Sequence, residues 1–173
     1  MKAIYYFFNS KTILLFCLVI TTACQQPKEK TETQPETASV SETKPSTKEI
    51  KAQLINEGYQ IFDFPDKKTG DTILMQQYYI AFLKKGPNRS QNEEEAQKLQ
   101  KMHLEHLGRM YEEGYADISG PFGDDGEIRG ITIYNTPTKK MADSLANLDP
   151  MVKAGRLVIE IHPWWAAKGH PLR

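Results

Sequence analysis

Cysteine is the scarcest chemically reactive residue in this sequence. The 173 residues contain two cysteines, Cys17 and Cys24, and both lie near the N-terminus. No thiol remains after Cys24, so the rest of the chain cannot hold a disulfide, a cysteine nucleophile, a Cys-ligated zinc or an iron–sulfur cluster. Its stability must therefore come from an apolar core.

An excess of charge of either sign is also missing. The sequence has 22 Lys and Arg against 22 Asp and Glu. A nucleic-acid-binding protein typically shows a basic patch or stripe, which this balance does not favour. Phosphate-cradling glycine loops, nucleophile elbows and dinucleotide fingerprints are absent as well. We therefore predict no nucleic-acid partner and no cofactor.

The N-terminal segment has the order of a secretory signal. Positive charges at Lys2 and Lys11 precede an apolar run, Ile13–Ile20, which is shorter than the ~20 residues that span a membrane. Small residues then lead to Cys24, a pattern that resembles a bacterial lipoprotein signal. It predicts a signal peptide over 1–23, a lipid on Cys24 that anchors the protein to a membrane, and a place in the bacterial cell envelope, on the periplasmic or outer-membrane side. An uncleaved anchor and an ordinary signal peptide are the alternatives.

Composition divides the remaining chain. Residues 24–49 are rich in Pro, Thr, Ser, Glu and Lys, so they cannot bury enough apolar surface to fold and form a disordered tether. Capping-box spacing at Ser46 and Glu49 begins a short helix, and residues 50–71 form a small N-terminal extension. The main domain covers 72–166, and 167–173 is a C-terminal tail.

The main domain has the element order β-α-β-β-α-β. The sequence predicts strands over Ile73–Lys84, Tyr115–Ser119, Ile128–Tyr134 and Arg156–Ile161, with helices over Gln91–Glu113 and Thr138–Leu148. This order is typical of the α+β, ferredoxin-like fold, an antiparallel sheet with two helices on one face.

The face of the sheet that does not contact the two helices must be covered by another surface. In the last strand this face carries one of two alternating sets of side chains, and neither set is fully polar. The sets are Leu157, Ile159 and Ile161, or Val158, Glu160, His162 and Trp164. A second copy of the chain is the simplest cover, which predicts a homodimer packed sheet to sheet.

His103 is the most informative residue of the long helix. At about 100° per residue it falls near the middle of the apolar stripe that includes Leu99, Leu107 and Met110. It is either a core histidine that bonds its neighbours or a general acid/base at a pocket, a role for which imidazole is suited. His106 lies one turn further on, but no third ligand is near in sequence, so no metal site is predicted.

Other side chains could complete a site. Asp149 either ends the second helix before Pro150 or orients His103, as the third group of many catalytic sites does. Tyr79 and Ser119 could offer hydroxyls to a substrate, and Trp164 either closes the domain by packing or lines a pocket.

Several short motifs resemble the YciI-like (YCII-related) family over Ile73–Trp165. They are His103-Leu104, Leu107, Gly114, Gly120-Pro121-Phe122, Asp149-Pro150, Ala154-Gly155-Arg156 and His162-Pro163-Trp164. The resemblance implies a dimeric α+β barrel, similar to muconolactone isomerase, and an active site built on a His and an Asp that match His103 and Asp149. It further implies lyase- or dehydrohalogenase-type chemistry in some members.

Together these patterns predict a lipid-anchored small-molecule enzyme. A His103/Asp149 pair would transfer protons in an elimination or isomerisation. The alternative is a non-catalytic module that binds a small ligand or serves as an envelope scaffold.

Overall fold

The computed structural model describes residues 44–173. The predicted signal peptide, Cys24 and most of the tether lie outside this range. The elements are α1 Thr47–Asn56, β1 Ile61–Pro65, β2 Thr72–Lys85, α2 Glu93–Glu112, β3 Ala116–Pro121, β4 Ile128–Tyr134, α3 Lys139–Ala146, α4 Pro150–Lys153 and β5 Leu157–Ala167. Within the described range, no helix has the length and apolar character needed to cross a membrane.

Four strands form the ferredoxin-like sheet. Their order is β5-β2-β4-β3, and every neighbouring pair is antiparallel. With α2 after β2 and α3 after β4, this is the predicted β-α-β-β-α-β arrangement. The α+β, ferredoxin-like prediction is confirmed.

The N-terminal extension adds a fifth strand. β1 pairs with the first part of β2, from Thr72 to Gln76. Met75 and Gln76 also pair with β5, so β1 lies on the edge of β2 that β4 occupies further along. The helix before it begins as predicted, because Ser46 and Glu49 form the reciprocal capping box.

The core lies between the sheet and the helices. Tyr79, Ala81 and Leu83 point from β2 toward Met110 of α2 and Ala146 of α3, and all are buried. On β5, Leu157 and Ile161 join this core, whereas Val158 and Trp164 on the other face remain 40% and 41% exposed. The structure thus decides which residues of the last strand face the helices.

The last third of the chain differs from the predicted boundaries. The second helix, α3, ends at Ala146 rather than Leu148, and Asp149 does not terminate it. Instead, Asp149 begins α4 as its N-cap, with Pro150 in the first turn, where a missing N–H costs nothing. The last strand continues to Ala167 through Pro163, which an edge strand such as β5 tolerates.

Candidate functional site

Helix α2 positions the central histidine. Its N-cap is Asn92, whose side chain forms a capping box with Glu95, and the helix ends near Gly114 at φ 76°. Its buried face carries His103, His106 and Met110. His103 is 8% exposed, so an ionisable ring lies in the layer between helix and sheet, as the helical spacing indicated.

Asp149 contacts His103 in the structure, although the two residues are 46 positions apart in sequence. Oδ2 of Asp149 lies 2.5 Å from Nδ1 of His103, and the other oxygen, Oδ1, accepts a hydrogen bond from the Met151 N–H at 2.8 Å. Asp149 is only 2% exposed. One carboxylate thus caps α4 and also contacts the imidazole.

This contact has a consequence for the imidazole tautomer. A carboxylate can only accept, so the hydrogen bond requires the proton on Nδ1. Nε2 has no hydrogen-bond partner among the described residues, and it is not one of the fully buried unpartnered atoms. In the neutral ring, Nε2 therefore carries the free lone pair.

His103 lines a cavity of about 450 Å³ between α2 and one end of the sheet. Apolar side chains, three arginines and no carboxylate form its walls. The lining residues are Leu83, Arg89, Gln100, His103, Leu104, Leu107, Ser119, Gly120, Pro121, Arg129, Gly130, Ile131, Met151, Arg156 and Leu157. This size is within the usual range for small-molecule sites.

The structure brings one further predicted site residue to this cavity. Ser119 lines it, with its hydroxyl 3.0 Å from Oγ1 of Thr132. Tyr79 lies in the core, where its hydroxyl donates to the side chain of Gln77. Trp164 lies on the opposite face of the sheet and lines a different cavity. A substrate contact by any of the three stays a prediction.

His106 lies apart from the cavity lining. It is 1% exposed, and its Nδ1 accepts a hydrogen bond from Nη2 of Arg109 at 3.0 Å. Its Nε2 is buried with no partner, and burial lowers the pKa of the imidazole. Within residues 44–173, no group of three or more His, Cys, Asp and Glu side chains is arranged to hold a metal ion.

The three arginines were missed as site residues. Arg89 follows β2, Arg129 lies in β4 and Arg156 directly precedes β5. Nothing in their spacing predicts that they share a cavity, because only the packing of the sheet and α2 brings them together. Arg156 did appear in the Ala-Gly-Arg motif, which was the one available signal.

Comparison with protein-family models identifies the family of the chain. A family model described as "YCII-related domain" matches residues 78–165, about half of the chain. The chain belongs to the YCII-related domain family. The matched region contains His103, Asp149 and all three arginines, whereas α1 and β1 lie outside it. The predicted family is confirmed.

No curated protein matches the chain. Among solved structures, it is similar to 5-chloro-2-hydroxyhydroquinone dehydrochlorinase (TftG) from Burkholderia phenoliruptrix AC1100 in complex with 2,5-dihydroxybenzoquinone. The identity is 17% and the TM-score 0.40, and the match covers 50% of this chain and 92% of the other.

Proposed function

We propose that this YCII-related domain is a small-molecule enzyme in which His103 transfers a proton in an elimination or isomerisation. The observation that carries the proposal is the 2.5 Å contact between Nδ1 of His103 and Asp149, on a histidine that also lines the cavity. A base, a group that orients it and a space for substrate therefore occur together.

In the proposed mechanism, Nε2 of His103 takes a proton from a carbon next to a carbonyl or an aromatic-derived ring. Asp149 holds the Nδ1 proton and stabilises the imidazolium that forms. In an elimination, the C–H electron pair becomes the new double bond, and the leaving group departs from the adjacent carbon with its own bonding pair. In an isomerisation, Nε2–H returns the proton to a different carbon.

Solvent deuterium exchange tests the proton transfer by itself, whichever bond changes follow it. The protein is incubated in D₂O with a panel of small enolisable carbonyl compounds and hydroxylated aromatics, and deuterium uptake is followed by NMR. We expect catalysed exchange for at least one compound and its loss in His103→Gln. Thermal unfolding of both proteins shows whether the variant folds.

Two results contradict the proposal. One is exchange that His103→Gln leaves unchanged. The other is binding of panel compounds without catalysed exchange or turnover, which favours the alternative of a non-catalytic ligand-binding module.

A homodimer forms part of the proposal. The sheet face opposite the helices carries half-buried Ile80 and Phe82 on β2 and exposed Val158 and Trp164 on β5. A second copy packed sheet to sheet would bury this apolar surface. Light scattering is expected to give twice the chain mass, and Val158→Glu is expected to shift the protein toward monomer. A monomeric wild-type protein contradicts this part.

Membrane attachment through Cys24 is a separate part of the proposal, supported by the signal-like order of the first residues. Metabolic labelling with a fatty-acid analogue in a bacterial host is expected to label the wild-type chain and not Cys24→Ala. Equal labelling of both chains contradicts lipidation at Cys24.

A further inference from the structure

We infer that the cavity selects an organic acid, whose carboxylate binds Arg156 and Arg89 while its apolar body lies beside His103. This inference rests on the proposed function, since it names the substrate class for the same site. It starts from the charge of the cavity walls, which include three guanidinium groups and no carboxylate. Charged groups of one sign in a cleft with apolar walls concentrate ligands of the opposite sign.

Arg156 has a free donor for such a ligand. Nη1 donates to Oε1 of Gln91 at 3.0 Å, whereas Nη2 has no partner among the described residues. Nε is buried and closed to a group the size of water, so Nη2 is the atom that a ligand meets. A guanidinium N–H that donates to a carboxylate forms a charge-assisted hydrogen bond, which is stronger than one between neutral groups.

Arg89 and Arg129 differ in how far they are already engaged. The Arg129 guanidinium donates hydrogen bonds to the Asp124 and Gly126 carbonyls and lies 3.4 Å from the Asp125 carboxylate. Arg89 is exposed and makes no side-chain hydrogen bond or ion pair within residues 44–173. Arg89 is therefore available to pair with Arg156 on one ligand, and Arg129 contributes mainly positive potential.

Local hydrogen bonds hold the two chain segments that carry these arginines together. The Asn88 side chain donates to the Ala154 carbonyl at 2.9 Å, and the Asn88 N–H donates to the Gly155 carbonyl at 3.0 Å. Gly86 packs so closely on Gly155 that an added Cβ would lie 2.2 Å from its carbonyl oxygen. The loop of Arg89 is thus fixed against the start of β5.

The remainder of the cavity determines the body of the ligand. Leu83, Leu107, Ile131, Met151 and Leu157 give it a largely apolar wall, and the volume of about 450 Å³ admits a compact molecule. A carboxylate attached to a single ring or a short branched chain fits this combination of one charged end and an apolar remainder.

Matched pairs of acid and amide test the inference. Benzoate and cyclohexanecarboxylate are compared with benzamide and cyclohexanecarboxamide by calorimetric titration of the full chain. We expect each acid to bind at least about tenfold more tightly than its amide, which is about 1.4 kcal/mol. Added salt should weaken only the acids, because it screens charge.

Variants identify the groups responsible. Arg89→Gln and Arg156→Gln are each expected to weaken benzoate binding about tenfold and to leave benzamide binding unchanged. Lys101→Gln is the control, because Lys101 carries the same charge on α2 and is exposed but does not line the cavity. Arg89→Gln removes no hydrogen bond of the described chain, so its effect cannot be attributed to unfolding.

The outcomes separate this inference from the proposed function. His103→Gln is expected to retain benzoate binding, so lost exchange with retained binding supports both proposals. Equal affinity for acid and amide, unchanged binding in both arginine variants, or no acid binding at millimolar concentrations each overturns the carboxylate inference. None of these three results tests whether His103 takes a proton from a substrate that lacks a carboxylate.

Discussion

Two histidine–carboxylate pairs occur in this domain, in opposite surroundings. His103 and Asp149 lie 2.5 Å apart with side chains 10% and 3% exposed, between α2 and the start of α4. His162 and Glu160 lie 2.7 Å apart with side chains 56% and 49% exposed, two residues from each other on β5. The distances are nearly equal, so the distance alone does not identify a functional pair.

The difference lies in what else each group does. Asp149 is held by the Met151 N–H, and His103 faces a cavity with its other nitrogen free. Glu160 instead forms an ion pair with Lys84 at 2.9 Å. His162 packs edge-on against Phe82 outside the cavity. Burial and a fixed partner preorganise the first pair, whereas solvent screens the second. Matched substitutions in the two pairs should therefore have unequal effects.

The largest expected difference is in turnover. Asp149→Asn is expected to lower the exchange rate about 10²–10⁴-fold, because an amide can present its N–H to the ring and favour the wrong tautomer. Glu160→Gln, the matched change in the exposed pair, should leave the rate unchanged. Equal losses in the two variants, measured by NMR exchange at the same pH, would remove the distinction between the pairs.

The second-largest expected difference between the two histidine–carboxylate pairs is in folding stability. Asp149→Ala removes both the contact to His103 and the cap of α4, which together should lower the free energy of unfolding by about 3 kcal/mol. Glu160→Ala removes only solvent-exposed contacts and should change it little. Chemical denaturation of both variants measures these changes, and an Asp149→Ala protein as stable as wild type would be unexpected.

Individual residues of the site could be predicted from the sequence more readily than the contacts between them. Helical spacing placed His103 on the buried face of α2, and a capping motif placed the start of α1, because these signals are local. The contact between His103 and Asp149 depends on how α4 packs across 46 positions of sequence. The sequence therefore left it as one of two alternative roles for Asp149, and the family resemblance favoured it. The three cavity arginines and the pairing of β1 with β2 likewise depend on tertiary packing.

A third prediction concerns His106, the buried histidine beside the first pair. Its folded-state pKa is lowered by burial, so below pH ~6.5 the unfolded chain binds a proton that the folded chain does not. Stability should therefore fall as the pH falls below about 6.5. His106→Gln should reduce this slope in denaturation at several pH values, and an unchanged slope would assign the proton to another group.

The smallest expected effect is on the titration of Glu160. Lys84, together with His162, lowers the pKa of this carboxyl to about 2. Lys84→Met should raise the pKa of Glu160 toward its usual range, as followed by carboxyl-carbon NMR. Because the Lys84–Glu160 pair is exposed, the variant should unfold as wild type does. A pKa that stays low would show that Lys84 is not the main cause.

Nitrogen NMR of the imidazole rings tests the central claim most directly. Long-range ¹⁵N correlation spectra of the neutral rings distinguish a protonated from a bare ring nitrogen. The contact with Asp149 predicts that neutral His103 carries its proton on Nδ1, with Nε2 bare and shifted when a cavity ligand binds. A neutral His103 protonated on Nε2, with Nδ1 bare, would contradict its proposed role as the base.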